Sequence, residues 1–178
     1  MNPVRRLHFG CGRITPAGWI NADIRPGEGV DLCCDVLAGI PLDDDSIDYI
    51  SSQHALQEIK VVDQIRALRE LRRVLKPGGV LRLVLPDLDR AIDAYRSGRD
   101  EYFRPHDWET IDGNFITHIV WYSNTRTLFT CAFALELLRK AGFADVRRVA
   151  YRITASPHPE IVELDSREHE SFCVEAVK

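Results

Sequence analysis

Short apolar runs in the first half of the chain alternate with turn-forming residues. Runs of this length that are bounded by Gly, Pro or Asp are typical of β-strands. The predicted strands in this half cover residues 4–9, 19–24, 31–36, 47–52 and 80–85. Gly10 and Gly12 close the first strand, and Pro86 closes the last.

Between residues 54 and 76 the spacing of the apolar positions changes to three and four. The repeating positions are Ile65, Leu68, Leu71 and Leu75. This period places them on one face of a helix. We expect Asp63 to cap that helix at its start and the Pro-Gly-Gly sequence at 77–79 to end it.

The second half predicts two further helices and two further strands. The predicted elements are helices at 87–97 and 130–141 and strands at 146–153 and 172–177, with a polar loop at 154–170. Thr130 has the side chain of an N-cap residue, and Gly142 is a typical helix stop.

The order of these elements predicts the fold. Strands separated by helices argue for a parallel sheet covered by helices, and the closing strand–loop–strand pair argues for an antiparallel addition at one edge. We therefore predict one α/β domain over residues 1–178, with a doubly wound, mostly parallel sheet of seven strands and an antiparallel final strand. In such sheets ligands bind beyond the carboxyl ends of the strands.

The composition of the chain restricts its possible partners and its location. The chain has 178 residues, 23 Lys+Arg against 27 Asp+Glu and a net charge of −4, which disfavours a nucleic-acid partner. With 45% hydrophobic and 28% charged residues it is too apolar for disorder. No apolar run is long enough to cross a bilayer and the start does not read as a signal peptide, so we expect a cytoplasmic protein without a membrane partner.

Five cysteines are spread along the chain. They are Cys11, Cys33, Cys34, Cys131 and Cys173. An odd number without a C-x-x-C pair argues against a disulfide framework and against a structural zinc site. We expect free thiols and no metal.

A Gly-Cys-Gly turn follows the first strand, at the edge where a ligand would bind. A G-x-G sequence there lets a ligand approach the backbone closely. The dinucleotide fingerprint needs a third glycine where Thr15 stands, and Pro16 and Gly18 prevent a long helix from beginning at the turn. The sequence therefore disfavours NAD and FAD, and it lacks a P-loop as well.

Two aspartates end the next two strands. The carboxylate of Asp23 suits the two hydroxyls of a ribose, and Asp35, with the backbone of Val36, suits the edge of an adenine. Both aspartates are also common turn formers. Their occurrence at consecutive strand ends after a glycine turn favours a nucleoside ligand.

Several segments together resemble the class I S-adenosylmethionine-dependent methyltransferases. The matching segments read LHFGCG, GWINADIRP, DVLAGIPLDDDSIDYISSQHALQEI and LRELRRVLKPGGVLRLVLPDLD. They are most similar to small predicted methyltransferases with a short glycine loop followed by G-W-[IV]-N-x-D. The resemblance implies a Rossmann-like methyltransferase fold and S-adenosylmethionine as cofactor. The implied cofactor-binding residues are Gly10, Cys11, Gly12, Asp23, Ile24, Asp35, Val36, Ser52, Gln53 and His54.

The sequence also departs from that family's pattern. His8 stands where many relatives have an acidic residue, and the usual H-V-L-E-H after strand four reads H-A-L-Q-E at 54–58. The first helix is expected to be shortened or missing. These departures motivate an alternative, in which the chain is a nucleoside-binding module or partner subunit that kept the fold and lost catalysis.

Residues 95–129 are rich in aromatic side chains. They hold eight of the 15 aromatic residues of the chain, in a segment that starts on the ligand side of the sheet. We interpret the segment as a cap over a substrate pocket, with a satellite core under a long connection as the alternative.

Three residues are candidates for acid–base chemistry. His54 follows the fourth strand, and His118 has a spacing to Trp121 and Tyr122 that would place all three on one helical face. Asp87 follows the fifth strand, with helix capping as its alternative role. The predicted function is methyl transfer to a small-molecule or glycan-type acceptor.

Overall fold

The computed structural model describes residues 3–178 and contains one seven-stranded sheet. Met1 and Asn2, which the predicted domain includes, lie outside the described residues. The strands are β1 Arg6–Phe9, β2 Ile20–Asp23, β3 Leu32–Cys33, β4 Ile47–Gln53, β5 Leu75–Pro86, β6 Ala144–Val149 and β7 Ser171–Val177. The helices are α1 Gln64–Val74, α2 Leu88–Arg96, α3 Ile111–Val120 and α4 Cys131–Lys140.

The strand order is β3-β2-β1-β4-β5-β7-β6. The strands from β1 to β5 are parallel, and β7 runs antiparallel to both β5 and β6. The predicted α/β fold, with seven strands and an antiparallel final strand, is confirmed. The parallel order places the ends of β1, β2, β4 and β5 at one edge of the sheet, where the candidate site lies.

The first face of the sheet carries the main hydrophobic core. Leu68 and Leu71 of α1 and Leu137 and Leu138 of α4 pack there against Leu83 and other apolar side chains of the sheet. Each fully buried leucine contributes roughly 1.5–3 kcal/mol by leaving water. Three of the four periodic positions, Ile65, Leu68 and Leu71, lie on this face of α1, whereas the fourth, Leu75, begins β5.

The second face of the sheet combines a small apolar cluster around Tyr49 with a row of buried polar side chains. The row crosses five adjacent strands through registered pairs and consists of Asn21, His8, Ser51, Arg82 and Glu175. Loops cover this face, with a short 3-10 turn at Pro159–Val162. Apolar packing alone therefore does not hold the covering loops in place.

Arg82 is the centre of that row. Its Nε donates to Asp165 Oδ1 at 2.8 Å, and its Nη1 donates to Glu175 Oε1 at 2.7 Å. Further bonds run from Nη2 to Asp165 Oδ2 and from the two Nη atoms to the carbonyls of Ile153 and Ala150. All five guanidinium N–H groups thus have partners, and they fix the loop between β6 and β7 onto the sheet.

Several element boundaries differ from the prediction. The strand predicted at 31–36 is only Leu32–Cys33, because the Asp35 carboxylate accepts from Leu37 N at 2.9 Å and closes a turn. Strand β5 begins at Leu75 rather than Val80, with a register shift against β4 between the two.

The prediction for α1 holds at its start but not at its end. The helix begins after Asp63, as expected, but it ends at Val74 and not at the Pro-Gly-Gly sequence at 77–79, because Leu75 already pairs with Ile47 in the sheet. Residues 54–63 contain two 3-10 turns, Leu56–Glu58 and Val61–Asp63. Asp63 occupies the N-cap position, yet its side chain makes no capping hydrogen bond. Thr130, in contrast, caps α4 as predicted, since its Oγ1 accepts from Phe133 N at 3.2 Å.

The connection between β1 and β2 contains no α-helix in the described residues, as the sequence indicated. The predicted cap segment 95–129 contains α3, which packs against α2 through a small cluster that includes Phe103 and Phe115. Within residues 3–178, no helix has the length and apolarity to cross a bilayer.

Candidate active site

The glycine turn lies directly against the residue that follows His54. Gly10 has φ +69°, and a Cβ there would come within 2.2 Å of the Ala55 Cβ. The N–H groups of Gly10 and Cys11 both donate to the Ala22 carbonyl, at 2.8 and 3.1 Å. Only glycine fits at position 10, and its fit joins the turn after β1 to the segment after β4.

Asp23 ties the end of β2 to the same turn. Its Oδ2 accepts from Gly12 N at 2.8 Å, and its Oδ1 accepts from Arg25 N at 2.9 Å. The aspartate therefore performs the turn-forming role. Each carboxylate oxygen still keeps a lone pair, and the space beside the Gly12 Cα is open.

The predicted adenine-edge residues lie at the end of β3. Ile24 is 60% exposed, and Asp35 is exposed. The side chain of Val36 is buried in the main core, so only its backbone is available to a ligand. Cys33 is exposed in this area, whereas burial raises the pKa of the Cys11 thiol to about 11.

The three residues expected on the sulfonium side have different surroundings. Ser52 is buried and pairs with Phe9 in the sheet. Gln53 Oε1 accepts from the N–H and the hydroxyl of Ser166, at 2.9 and 2.8 Å, so Gln53 holds the loop before β7. Of the three, His54 is the one that lines a cavity.

That cavity opens beyond the ends of β4 and β5 and has a volume of about 200 Å³. Its walls come from four parts of the chain: the residues after β4, the start of α2, the segment from α3 to Phe129, and the loop before β7. The lining residues are His54, Gln57, Glu58, Pro86, Asp87, Leu88, Ala91, His118, Ile119, Trp121, Thr125, Thr127, Leu128, Phe129, Arg167 and Glu170.

His54 is held neutral in the cavity wall. Its Nε2 lies 2.7 Å from the Ser171 hydroxyl, and its backbone has φ +47°. Burial lowers the pKa of His54 to about 4; Glu170 opposes this shift, while Arg167 and His118 add to it. At neutral pH the imidazole therefore offers hydrogen bonds without a positive charge.

His118 faces the same cavity from α3. Its Nδ1 lies 3.1 Å from the Arg104 carbonyl. Because a carbonyl can only accept, Nδ1 is the donor in this contact, and in the neutral ring Nε2 is then the nitrogen with the lone pair. The ring packs beside Tyr102 and Phe103, with centroid distances of 5.5 Å.

The prediction that His118, Trp121 and Tyr122 share one helical face is wrong. The helix ends at Val120, and Trp121 and Tyr122 have φ values of +44° and +52°. Trp121 still lines the cavity, whereas Tyr122 is 58% exposed and bonds Asp107. A left-handed turn thus separates side chains that helical spacing would have aligned.

Asp87 is buried and caps α2. Its Oδ1 accepts from the N–H groups of Asp89 and Arg90, at 3.1 and 3.3 Å, and its Oδ2 lies 3.4 Å from Arg90 Nε. The capping alternative therefore applies, although Asp87 also lines the cavity.

Sequence reasoning missed Gln57, Thr127, Arg167 and Glu170. Gln57 lies in the H-A-L-Q-E segment, whose departure from the family pattern was the available signal. The others come from loops that the sequence alone does not bring together. Arg167 and Glu170 form an ion pair at 2.9 Å at the cavity edge.

Known proteins resemble this chain in sequence and in fold. The family described as "Methyltransferase domain" matches residues 15–83. The demethylmenaquinone methyltransferase of Listeria monocytogenes serotype 4a is 26% identical over 156 residues, which cover 84% of this chain and 60% of that protein. The chain thus spans about 60% of the length of such curated relatives.

Solved structures share the fold. A SAM-dependent methyltransferase from Thermotoga maritima has a TM-score of 0.60 at 21% identity, covering 100% of this chain and 84% of that one. Phosphoethanolamine N-methyltransferase 2 of Haemonchus contortus, solved with S-adenosyl-L-methionine, has a TM-score of 0.58 at 16% identity, covering 100% and 49%. The chain therefore shares the fold of these S-adenosylmethionine-dependent methyltransferases, and its residues 15–83 match the family described as "Methyltransferase domain".

Proposed function

We propose that this chain is an S-adenosylmethionine-dependent methyltransferase whose methyl acceptor is a small molecule bound in the cavity. The observation that carries the proposal is the contact between Gly10 and Ala55. It places the glycine turn, where the cofactor's methionine part would lie, next to the cavity wall that His54 begins.

The residues present fit the cofactor. The Asp23 carboxylate has the free lone pairs that a ribose diol needs, and the open surface beside Gly12 leaves room for close approach. Ile24, Asp35 and the Val36 backbone are the groups available to an adenine. The helix-free connection from β1 to β2 also supports the subfamily with a short glycine loop and G-W-I-N-x-D.

S-adenosylmethionine, when bound, supplies an electrophilic methyl group, and the protein contributes orientation and exclusion of water. In this chain Leu88, Ile119 and Phe129 give the cavity an apolar wall that would help to exclude water around a bound acceptor. His118 Nε2 is the proposed proton acceptor, because its other nitrogen is committed to Arg104. His54 and Asp87 are engaged by Ser171 and by α2, so we assign them to positioning the acceptor.

The cavity favours a compact aromatic acceptor over a glycan. A space of about 200 Å³ with Trp121 and Phe129 in its wall suits one planar ring system. The curated relatives are named demethylmenaquinone methyltransferases. We therefore propose an acceptor of the aromatic, quinol-like class.

A non-catalytic binding role is the second candidate. It is favoured by the engagement of His54 and Asp87 in structural hydrogen bonds. A turnover assay separates the two: the purified chain is incubated with S-adenosylmethionine and chemically reduced naphthoquinones, and S-adenosylhomocysteine is quantified. Acceptor-dependent product supports the enzyme. Cofactor binding without product from any acceptor supports the binding module.

A further inference from the structure

The 3-10 turn after β4 places a buried amide in the cavity wall. Gln57 is 7% exposed and lines the cavity. Its Oε1 is buried and has no hydrogen-bond partner among residues 3–178. A buried acceptor that stays unpaired costs roughly 1–3 kcal/mol, so its presence in a ligand cavity requires a reason.

The orientation of this amide is fixed by its neighbour. Gln57 Nε2 donates to the carbonyl oxygen of His54. Exchanging the amide oxygen and nitrogen would place two acceptors against each other, so the free atom is the oxygen. An oxygen acceptor selects a partner that carries an O–H or N–H group.

The turn that carries Gln57 is held from two sides. The Gln57 carbonyl accepts from Arg126 N at 2.7 Å and Thr127 N at 3.1 Å. Gln64, which is fully buried, donates to the Leu56 carbonyl at 2.7 Å and to Thr127 Oγ1 at 3.2 Å. This network fixes the backbone that carries Gln57, and the bond from its Nε2 to the His54 carbonyl holds the side-chain amide.

The charges around the cavity further restrict the kind of acceptor that can bind there. Three carboxylates line it, those of Glu58, Asp87 and Glu170, together with one arginine, Arg167. Arg167 and Glu170 form an ion pair with each other. His54 is neutral at neutral pH. One of the three carboxylates lacks an arginine partner among residues 3–178, so the lining carries a small excess of negative charge. A neutral phenol or amine avoids that charge, whereas an anionic group at the reacting end of the acceptor would not.

We propose that Gln57 Oε1 accepts a hydrogen bond from the hydroxyl or amino group of the methyl acceptor and thereby determines specificity for protic acceptors. This inference rests on the proposed function. An amide does not take up a proton at neutral pH, so Gln57 orients the acceptor and is not the base. An analogue without the donor would leave the buried oxygen unpaired, which is the kind of mismatch that sites reject strongly.

The test is a calorimetric comparison of two probes that differ by the donor. 1-Naphthol carries an O–H, and 1-methoxynaphthalene does not. Both are titrated into the full chain, with and without saturating S-adenosylhomocysteine. We expect wild type to prefer 1-naphthol at least tenfold and Gln57→Met to lose that preference, with 1-methoxynaphthalene binding unchanged within about twofold, since a 1.4 kcal/mol difference is tenfold.

Gln64→Met is the matched control. Gln64 is also a buried amide whose Oε1 has no partner within the described residues 3–178, but it does not line the cavity. It supports the turn, so any effect of its replacement should fall equally on both probes. Circular dichroism and the unfolding midpoint establish that each variant is folded.

The outcomes separate this inference from the proposed function. A wild-type chain with no preference between the probes, no binding of either probe, or an unchanged preference in Gln57→Met would overturn the role of Gln57. Binding of S-adenosylhomocysteine is scored in the same experiment. Its absence would contradict the proposed function, while the probe preference without cofactor would still decide the role of Gln57.

Discussion

The two sides of the candidate site are built in different ways. The glycine-turn side, residues 10–12 with Asp23 and Ile24, comes from 15 consecutive residues and is closed by local backbone hydrogen bonds. The cavity side brings together residues from 54 to 170 through tertiary contacts. The first side is set by turn chemistry and the second by how distant loops are anchored, so acceptor choice can change while cofactor binding is kept.

The largest expected effect comes from removing the anchor of the cavity side. Arg82→Met leaves the buried carboxylates of Asp165 and Glu175 without their cation, and loss of one partner of a buried pair costs about 3–5 kcal/mol. Urea denaturation should show this loss as a lower midpoint. Lys140→Met, which removes an exposed ion pair with Glu136, should change stability by less than about 1 kcal/mol. Equal midpoints for the two variants would contradict the anchoring role of Arg82.

The junction between the two sides should be the next most sensitive point. Gly10→Ala introduces a Cβ only 2.2 Å from the Ala55 Cβ, at a positive φ. Left-handed strain and overpacking together cost about 2–4 kcal/mol. At Gly12 a Cβ meets nothing within 4 Å, so Gly12→Ala should cost only the backbone strain of about 1–2 kcal/mol. Thermal unfolding of both variants checks this order, and a reversed order would refute the close contact.

Asp23→Ala should weaken the glycine-turn side alone. We expect the affinity for S-adenosylmethionine to fall by about 1–3 kcal/mol, because a charged hydrogen-bond partner of the ribose is lost. Affinity for 1-naphthol should stay within twofold. Asp43→Ala, at an exposed position far from the turn in sequence, is the control. Undiminished cofactor affinity in folded Asp23→Ala would rule out our placement of the ribose.

The last prediction concerns protonation of the cavity side, an effect that develops only in acid. Burial depresses the pKa of His54 from 6.5 to about 4, so the folded chain binds fewer protons than the unfolded chain between these values. The contribution of His54 to the free energy of unfolding should be fully present above pH 6.5. It should decrease as the pH falls towards 4, by up to about 1.4 kcal/mol per pH unit.

In the His54→Gln variant, the free energy of unfolding should depend less steeply on pH between 6.5 and 4. Burial lowers the pKa of His8 too, but His8 is present in both proteins, so the difference between the two stability profiles isolates His54. Parallel profiles for wild type and His54→Gln from pH 7 to 4 would show that His54 does not titrate in this way.

The same contrast explains what the sequence could predict. The ends of β1, β4 and β5, the glycine turn and the Thr130 cap depend on local propensities, and each was located to within one residue from residue type and spacing. Gln57 and Arg82 were not, because their roles arise from partners at distant positions. The single arginine in the apolar strand VLRLVL was the one visible sign of a buried ion pair, yet nothing in the sequence identified Asp165 as its partner.

Boundary errors have a similar origin. The helix α1 was expected to continue to the Pro-Gly-Gly sequence at 77–79, but it ends at Val74 because Leu75 pairs with Ile47 of the distant strand β4. The end of α3 was misjudged because Trp121 adopts a left-handed backbone conformation that its residue type does not indicate.

Isothermal titration of the purified chain with S-adenosylmethionine and S-adenosylhomocysteine, with NAD as the control, tests the central claim most directly. The structure and its resemblance to methyltransferases predict micromolar binding of the first two ligands and none of NAD. Absence of binding by both sulfur nucleosides, or tight binding of NAD, would contradict the assignment of the glycine turn and Asp23 to a methyl-donor site.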